Sequence, residues 1–318
     1  MRKIHTILPF LIFFQHSFLL AQKILWEQSL GGSHMELLSD VVATADYGFI
    51  MAGSSLSGQS GTHGTQNQGD FDYWIYKMDE DGEPVWQRSY GGKGTDLLKV
   101  IKRTIDGGLI LGGTSTSEKS GDKESPNMGL EDFWVLKLNA AGEKEWELGL
   151  GGLGQDYLQS IHVTQDGGYL IGGSSSSEET NLPFGKTTPH FGGLDYWVVK
   201  LNAKGKMEWQ KSFGGKYNDE LNFAFEYEKG KFVLGGTSFS TLSGNKTDKL
   251  VGTADLWLIF LDENGNITQQ VSFGEENVSY QLQAMLLSKD GNLLLGCTKE
   301  MQNTNAVQNT KSNKNSFS

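Results

Sequence analysis

Asp166-Gly167-Gly168-Tyr169-Leu170-Ile171-Gly172-Gly173 decides the fold when read with Asp195-Tyr196-Trp197-Val198-Val199-Lys200-Leu201-Asn202, Trp209 and Gly214-Gly215. Asp-Gly-Gly is a tight-turn sequence, because glycine accepts positive φ and the Asp side chain bonds to nearby backbone. The apolar run that follows is strand-length and ends on a second glycine pair. Upstream, Tyr157 to Thr164 reads as one strand and Tyr169 to Ser174 as the next. A long polar loop then reaches Asp195, which opens a third strand to Leu201. Asn202-Ala203-Lys204-Gly205 turns the chain into a fourth, Met207 to Phe213, with Met207, Trp209, Lys211 and Phe213 on one face. That alternation has period 2, the signature of a half-buried strand.

The same unit recurs along the chain. Glycine pairs stand at Gly31-Gly32, Gly91-Gly92, Gly151-Gly152 and Gly214-Gly215, with a degenerate Gly274-Glu275, at spacings of 60, 60, 63 and 60. Asp72, Asp132, Asp195 and Asp255 each stand two residues before a tryptophan: Trp74, Trp134, Trp197 and Trp257. A second tryptophan follows 12 residues later at Trp86, Trp146 and Trp209, and Trp26 holds that place in a leading partial copy. Four short strands per period, with no amphipathic helix between them, predict an all-β chain. Radial repetition of such a unit is a β-propeller blade. The expected architecture is about five four-stranded blades at 37–90, 97–150, 157–213, 220–273 and an incomplete last one at 280–298. Lys23 to Leu30 reads as an outermost strand and is the candidate to close the ring.

The pattern resembles the kelch and delta-60 style of propeller repeat. Its order is an apolar run, Gly172-Gly173, a loop, Tyr196, then Trp209; another copy runs Leu109-Ile110-Leu111-Gly112-Gly113, Phe133, Trp146. It is similar in particular to the glycine-rich secreted repeat proteins of Bacteroidetes-type bacteria, over residues 23–298. The resemblance implies architecture and, by kelch analogy, an innermost strand after each Gly-Gly turn. It implies no particular activity.

Composition narrows the function. The 42 glycines among 318 residues are well above the usual ~7 %. Only 5 prolines and no Gly-X-Y register rule out collagen. Cys297 is alone, so neither an internal disulfide nor a cysteine zinc site is available. The net charge of −11 argues against nucleic acid and anionic membrane as partners. Arg2 and Lys3, the apolar run Ile7 to Leu20 and the small residue Ala21 have the order of a secretory signal, 1–21. Its removal takes the charge to −13, because both basic residues go and no acid does. No cysteine follows the run, so no lipid anchor is expected. The propeller domain is read as 22–300, and the polar stretch 301–318 as a disordered tail.

The recurrent tryptophans and Asp72, Asp132, Asp195 and Asp255 are read as structural, the former as packing between blades and the latter as turn caps. A second acidic series, Asp96, Asp156 and Asp219 with Glu36, follows the glycine pairs. No calcium-loop pattern accompanies either series, and no metal or cofactor is expected. Ligand contacts are instead expected on the variable loops 57–71, 117–131, 177–194 and 240–254. The candidates are His63, Asn67, Asp122, Asn127, Phe184, His190, Phe191, Asn245 and Asp248. No serine elbow, phosphate loop or zinc-protease helix is present. The expected function is a secreted, non-catalytic binding or scaffold propeller for glycan or cell-surface protein. Two alternatives stand beside it: a glycan hydrolase or lyase using loop carboxylates, and a truncated piece of a larger type IX-exported surface protein.

Overall fold

The computed structural model describes residues 26–301. The expected signal and its cleavage point lie outside that range, as does the polar tail after Met301. The described residues form five antiparallel sheets and no helix. The first blade comprises β1 (Glu36–Ala43), β2 (Phe49–Ser55), β3 (Asp72–Met78) and β4 (Pro84–Tyr90), paired in chain order. The second is β5 (Asp96–Arg103), β6 (Leu109–Ser115), β7 (Asp132–Leu138) and β8 (Lys144–Leu150). The third is β9 (Asp156–Val163), β10 (Tyr169–Ser175), β11 (Asp195–Leu201) and β12 (Met207–Phe213). The fourth is β13 (Asp219–Glu228), β14 (Lys231–Ser238), β15 (Asp255–Leu261) and β16 (Ile267–Phe273). A two-stranded last sheet, β17 (Val278–Leu287) and β18 (Leu293–Met301), follows and takes in Met301. This is a repeated, propeller-like blade fold, with β1, β5, β9, β13 and β17 as neighbours along its inner side.

Local chemistry sets each hairpin. Asn202 Oδ1 accepts the N–H groups of Lys204 and Lys206, and Gly205 closes the turn at φ 75°. A β-branched or bulky residue would be strained there. The seams between blades hold the core. Ile50, Ala52, Tyr73 and Ile75 of the first blade pack on Leu98, Ile101, Leu111 and Trp134 of the second. The next two seams repeat this with Phe133 and Val135 against Leu158 and Trp197, then Tyr196 and Val198 against Leu221 and Trp257. Each fully buried apolar side chain contributes about 1.5–3 kcal/mol.

The two tryptophans of a copy serve opposite seams. The first faces backward: Trp134, Trp197 and Trp257 lie 4.8, 4.9 and 5.1 Å from the Tyr73, Phe133 and Tyr196 rings of the preceding blade. The second faces forward. Trp86, Trp146 and Trp209 lie on Gly142, Gly205 and Gly265 in the β3–β4-type hairpin of the next blade.

The N-terminal segment departs from its expectation. Residues 26–30 form no strand and pair with no part of the last sheet. Trp26 lies on Gly82 and donates its Nε1–H to Glu80 O, as Trp209 does to Glu263 O. The segment therefore occupies the outer-strand position in front of the first blade. It lacks strand geometry because no third strand stands beside it to supply a hydrogen-bonding edge.

Candidate functional site

Two polar regions are built by the repeat. The first lies in the seams. Asp96, Asp156 and Asp219 open the inner strands of their blades, and Oδ2 of each accepts a glycine N–H and a serine hydroxyl: Gly92 and Ser117, Gly152 and Ser177, Gly215 and Ser240. Asp72, Asp132 and Asp195, from the preceding blades, accept the loop N–H groups of Gln68, Met128 and Phe191. The second oxygen of all six carboxylates is buried with no donor. Burial drives Asp72 and Asp132 up to about 7 and Asp195 to about 6, with Asp96, Asp156 and Asp219 adding like-charge repulsion. Asp96, Asp156 and Asp219 are themselves raised, first by burial.

The fourth seam differs. Tyr280 takes the place of the inner aspartate, its N–H bonding to Ala254 O as that of Asp219 bonds to Leu194 O. There the Oδ1 of Asp255 receives the Gly252 N–H.

A buried cation accompanies the pairs. Lys123, Lys186 and Lys246 are buried in the long loops, and burial lowers the affinity of each for its proton. The nearby acids Asp132 and Asp96, Asp195 and Asp156, and Asp219 and Asp255 oppose that shift. Lys186 Nζ also donates to Ser177 O, Thr188 O and Pro189 O. In the first blade His63 holds this position, its ring tilted 36° against Trp74 at 4.7 Å and kept neutral by burial. Residue-by-residue inspection of the loops misses these lysines. Their signal is register: each stands nine residues before its Asp, as His63 stands nine before Asp72.

The loop candidates are not brought together. Asn67 donates to Ser55 O and Asp70 O, and Asn245 holds the Gly214 N–H and Ser212 O. Asn127 bonds to Gly129 O. Asp122 faces the Gly91 N–H, with its carboxyl raised by burial. His190 bridges Glu178 and Gly193 O, and Phe191 lies over Gly244. Asp248 is half-buried. Phe184, at 60 % exposure, points out. The loops fold back onto the preceding Gly-Gly linkers, as Asp122 N–H to Gly91 O and Lys186 N–H to Gly151 O show.

The second polar region is a cleft of about 570 Å³ on the inner side of the first three blades. Alternate residues of the inner strands line it in two rows, Leu37, Leu97 and Tyr157, then Ser39, Lys99 and Gln159. Thr95, Thr116 and Glu131 complete one wall. Among the described residues, Lys99 and Glu131 are its only ionisable groups besides the Tyr157 phenol, which burial and Glu131 hold protonated. Glu131 Oε2 is buried and has no donor. None of the nine loop candidates lines this cleft. Period-2 reading finds its alternation, but which face of the sheet turns inward is a property of the assembled blades.

No protein-family profile matches the chain. The regulatory protein FlaEY of Caulobacter vibrioides is 21 % identical over 259 residues, 78 % of this chain and 25 % of that protein. The chain thus spans about a quarter of the length of that curated relative. Among solved structures, an ACO/RPE65 chimera aligns with a TM-score of 0.45 at 11 % identity, over 84 % of this chain and 57 % of that one. A single-residue variant of Synechocystis apocarotenoid oxygenase aligns equally, with a TM-score of 0.45, 11 % identity and coverage of 85 % and 57 %.

Proposed function

We propose that this chain is an exported, non-catalytic binding module whose inner-strand cleft takes a neutral, hydroxyl-rich ligand of the glycan class. The cleft carries the reading. It has the volume of a small-ligand site, an aromatic ring at Tyr157, hydroxyls at Ser39, Thr95 and Thr116 and an amide at Gln159. Aromatic faces with neighbouring neutral donors and acceptors suit sugar rings, which present C–H faces and hydroxyl edges. The signal-like leader supports export. The hydrolase alternative draws no support from the seam aspartates. Their proton affinities suit general acids, but their side chains are sealed from solvent and no polymer reaches them.

Glycan-array screening followed by calorimetry tests the reading. Tyr157→Ala and Gln159→Ala should each weaken binding by about tenfold, the loss of one stacking or hydrogen-bonding contact. Unchanged affinity in both variants, or release of new reducing ends from the bound glycan, overturns it. N-terminal sequencing of the exported protein should begin at Gln22.

A further inference from the structure

Among the described residues, the first blade presents a knob with nothing over it, and the last sheet presents the matching socket. At every internal seam a leucine from the inner strand of one blade seats over a small residue in the second strand of the blade before it. Leu158 meets Gly112, Leu221 meets Gly172 and Leu282 meets Gly235, where an added Cβ would lie 3.1, 2.6 and 3.1 Å from the leucine methyl. Leu98 does the same in the cluster that contains Ala52. These leucines are 1–4 % exposed. The equivalent residue of the first blade, Leu38, is 62 % exposed. The equivalent glycine of the last sheet, Gly296, has no side chain from another sheet within 4 Å. Beside it Leu294, which matches the buried Ile50, Ile110, Leu170 and Val233, is 56 % exposed.

Hydrogen bonding repeats the match. The Leu98, Leu221 and Leu282 N–H groups donate to Ser54, Ser174 and Thr237 hydroxyls of the blade before. Thr298 stands at that hydroxyl position in the last sheet and is exposed. The outer half of the vacant seam is already filled: Leu30 packs on Trp74, Tyr76 and Met78, and Trp26 covers Gly82. The front of the first blade therefore lacks the inner strands of a preceding blade, and β17–β18 are inner strands of that repeat. Among the described residues, β1 and β2 make no seam with β17 and β18 of the kind that joins consecutive sheets.

We infer that two copies of this chain associate head to tail, with Leu38 of one seated on Gly296 of the other between Leu294 and Thr298. The contact continues the seam that already joins every consecutive pair of sheets. It is heterologous, since each copy uses a different surface.

Light scattering on the full mature chain over a wide concentration range tests this. The expected result is mass rising with concentration. Leu38→Asp and Leu294→Asp alter exposed positions at opposite ends, so each should leave the melting curve intact and weaken association by about tenfold or more. Mixed together, they retain one intact front and one intact back and should form a dimer that grows no further. Gly296→Val, which fills the socket, should behave as Leu294→Asp does. A monomer at every concentration, association that survives Leu38→Asp, or a mixture that stays monomeric overturns the proposal.

Discussion

Asp132→Asn should make the protein more stable at neutral and alkaline pH while flattening its pH dependence. The seam holds Asp132 at about 7 against an ordinary 3.8, because burial removes water from a carboxylate that has one oxygen unpartnered and Asp156 close by. A carboxyl whose folded value lies above its unfolded one binds its proton more tightly when folded. Its effect is nil below the unfolded value. Stability then falls by about 1.4 kcal/mol per pH unit as pH rises through the window from 3.8 to about 7. The full displacement is worth up to about 4 kcal/mol above that window. Asparagine has the same shape, keeps the oxygen that accepts the Met128 N–H, and places an N–H₂ where the orphaned oxygen stood. Urea unfolding of wild type and variant at half-unit steps from pH 4 to about pH 8 reads both stability and slope. The variant should lie above wild type at the alkaline end, with the gap closing toward pH 4. Parallel curves, or a variant less stable at the alkaline end, would refute the reasoning by showing that the seam carboxylate is adequately solvated or paired.

Three other outcomes follow from the same geometry. Trp146→Ala removes the ring lying on Gly205 and facing Tyr169, and should cost about 3 kcal/mol in denaturant melts, with the second and third blades losing cooperativity first. Gly205→Ala puts a Cβ 3.0 Å from that ring at φ 75° and should cost about 1–3 kcal/mol without altering the far-ultraviolet spectrum. Lys186→Met strips a buried cation from three carbonyls and leaves Asp156 and Asp195 unbalanced; it should destabilise by about 3–5 kcal/mol and push the Asp195 titration upward by carbon-13 NMR.

Strand order and boundaries were legible because each is dictated locally. The third copy's Asp195 to Leu201 and Met207 to Phe213 match the observed β11 and β12, and Asn202 to Gly205 closes the intervening turn through its own side chain. The nonlocal features were less readable. Lys23 to Leu30 carries strand residues, yet a strand needs an edge to pair with, and the residues 26–30 have none. Asn67 and Asn245 read as loop ligands because polar loop residues usually face water; in the structure they bond to backbone at the end of β2 and in β12 and the linker after it. Lys123, Lys186 and Lys246 escaped notice because the loops around them differ in length and composition, hiding a register that is constant when counted back from the aspartate. The inner cleft depends on how three blades are assembled, which no single copy encodes.

The opposed directions of the two tryptophans bear on how such a chain grows in evolution. The second and third blades each offer a forward-reaching ring to their successor and a backward-facing ring to their predecessor, and each receives both. The three joints between the four-stranded blades are therefore alike, and a gene segment of one period could be duplicated or lost there without redesigning either flank. Recombination between those like joints would add or remove a whole blade and leave the packing of its neighbours unchanged.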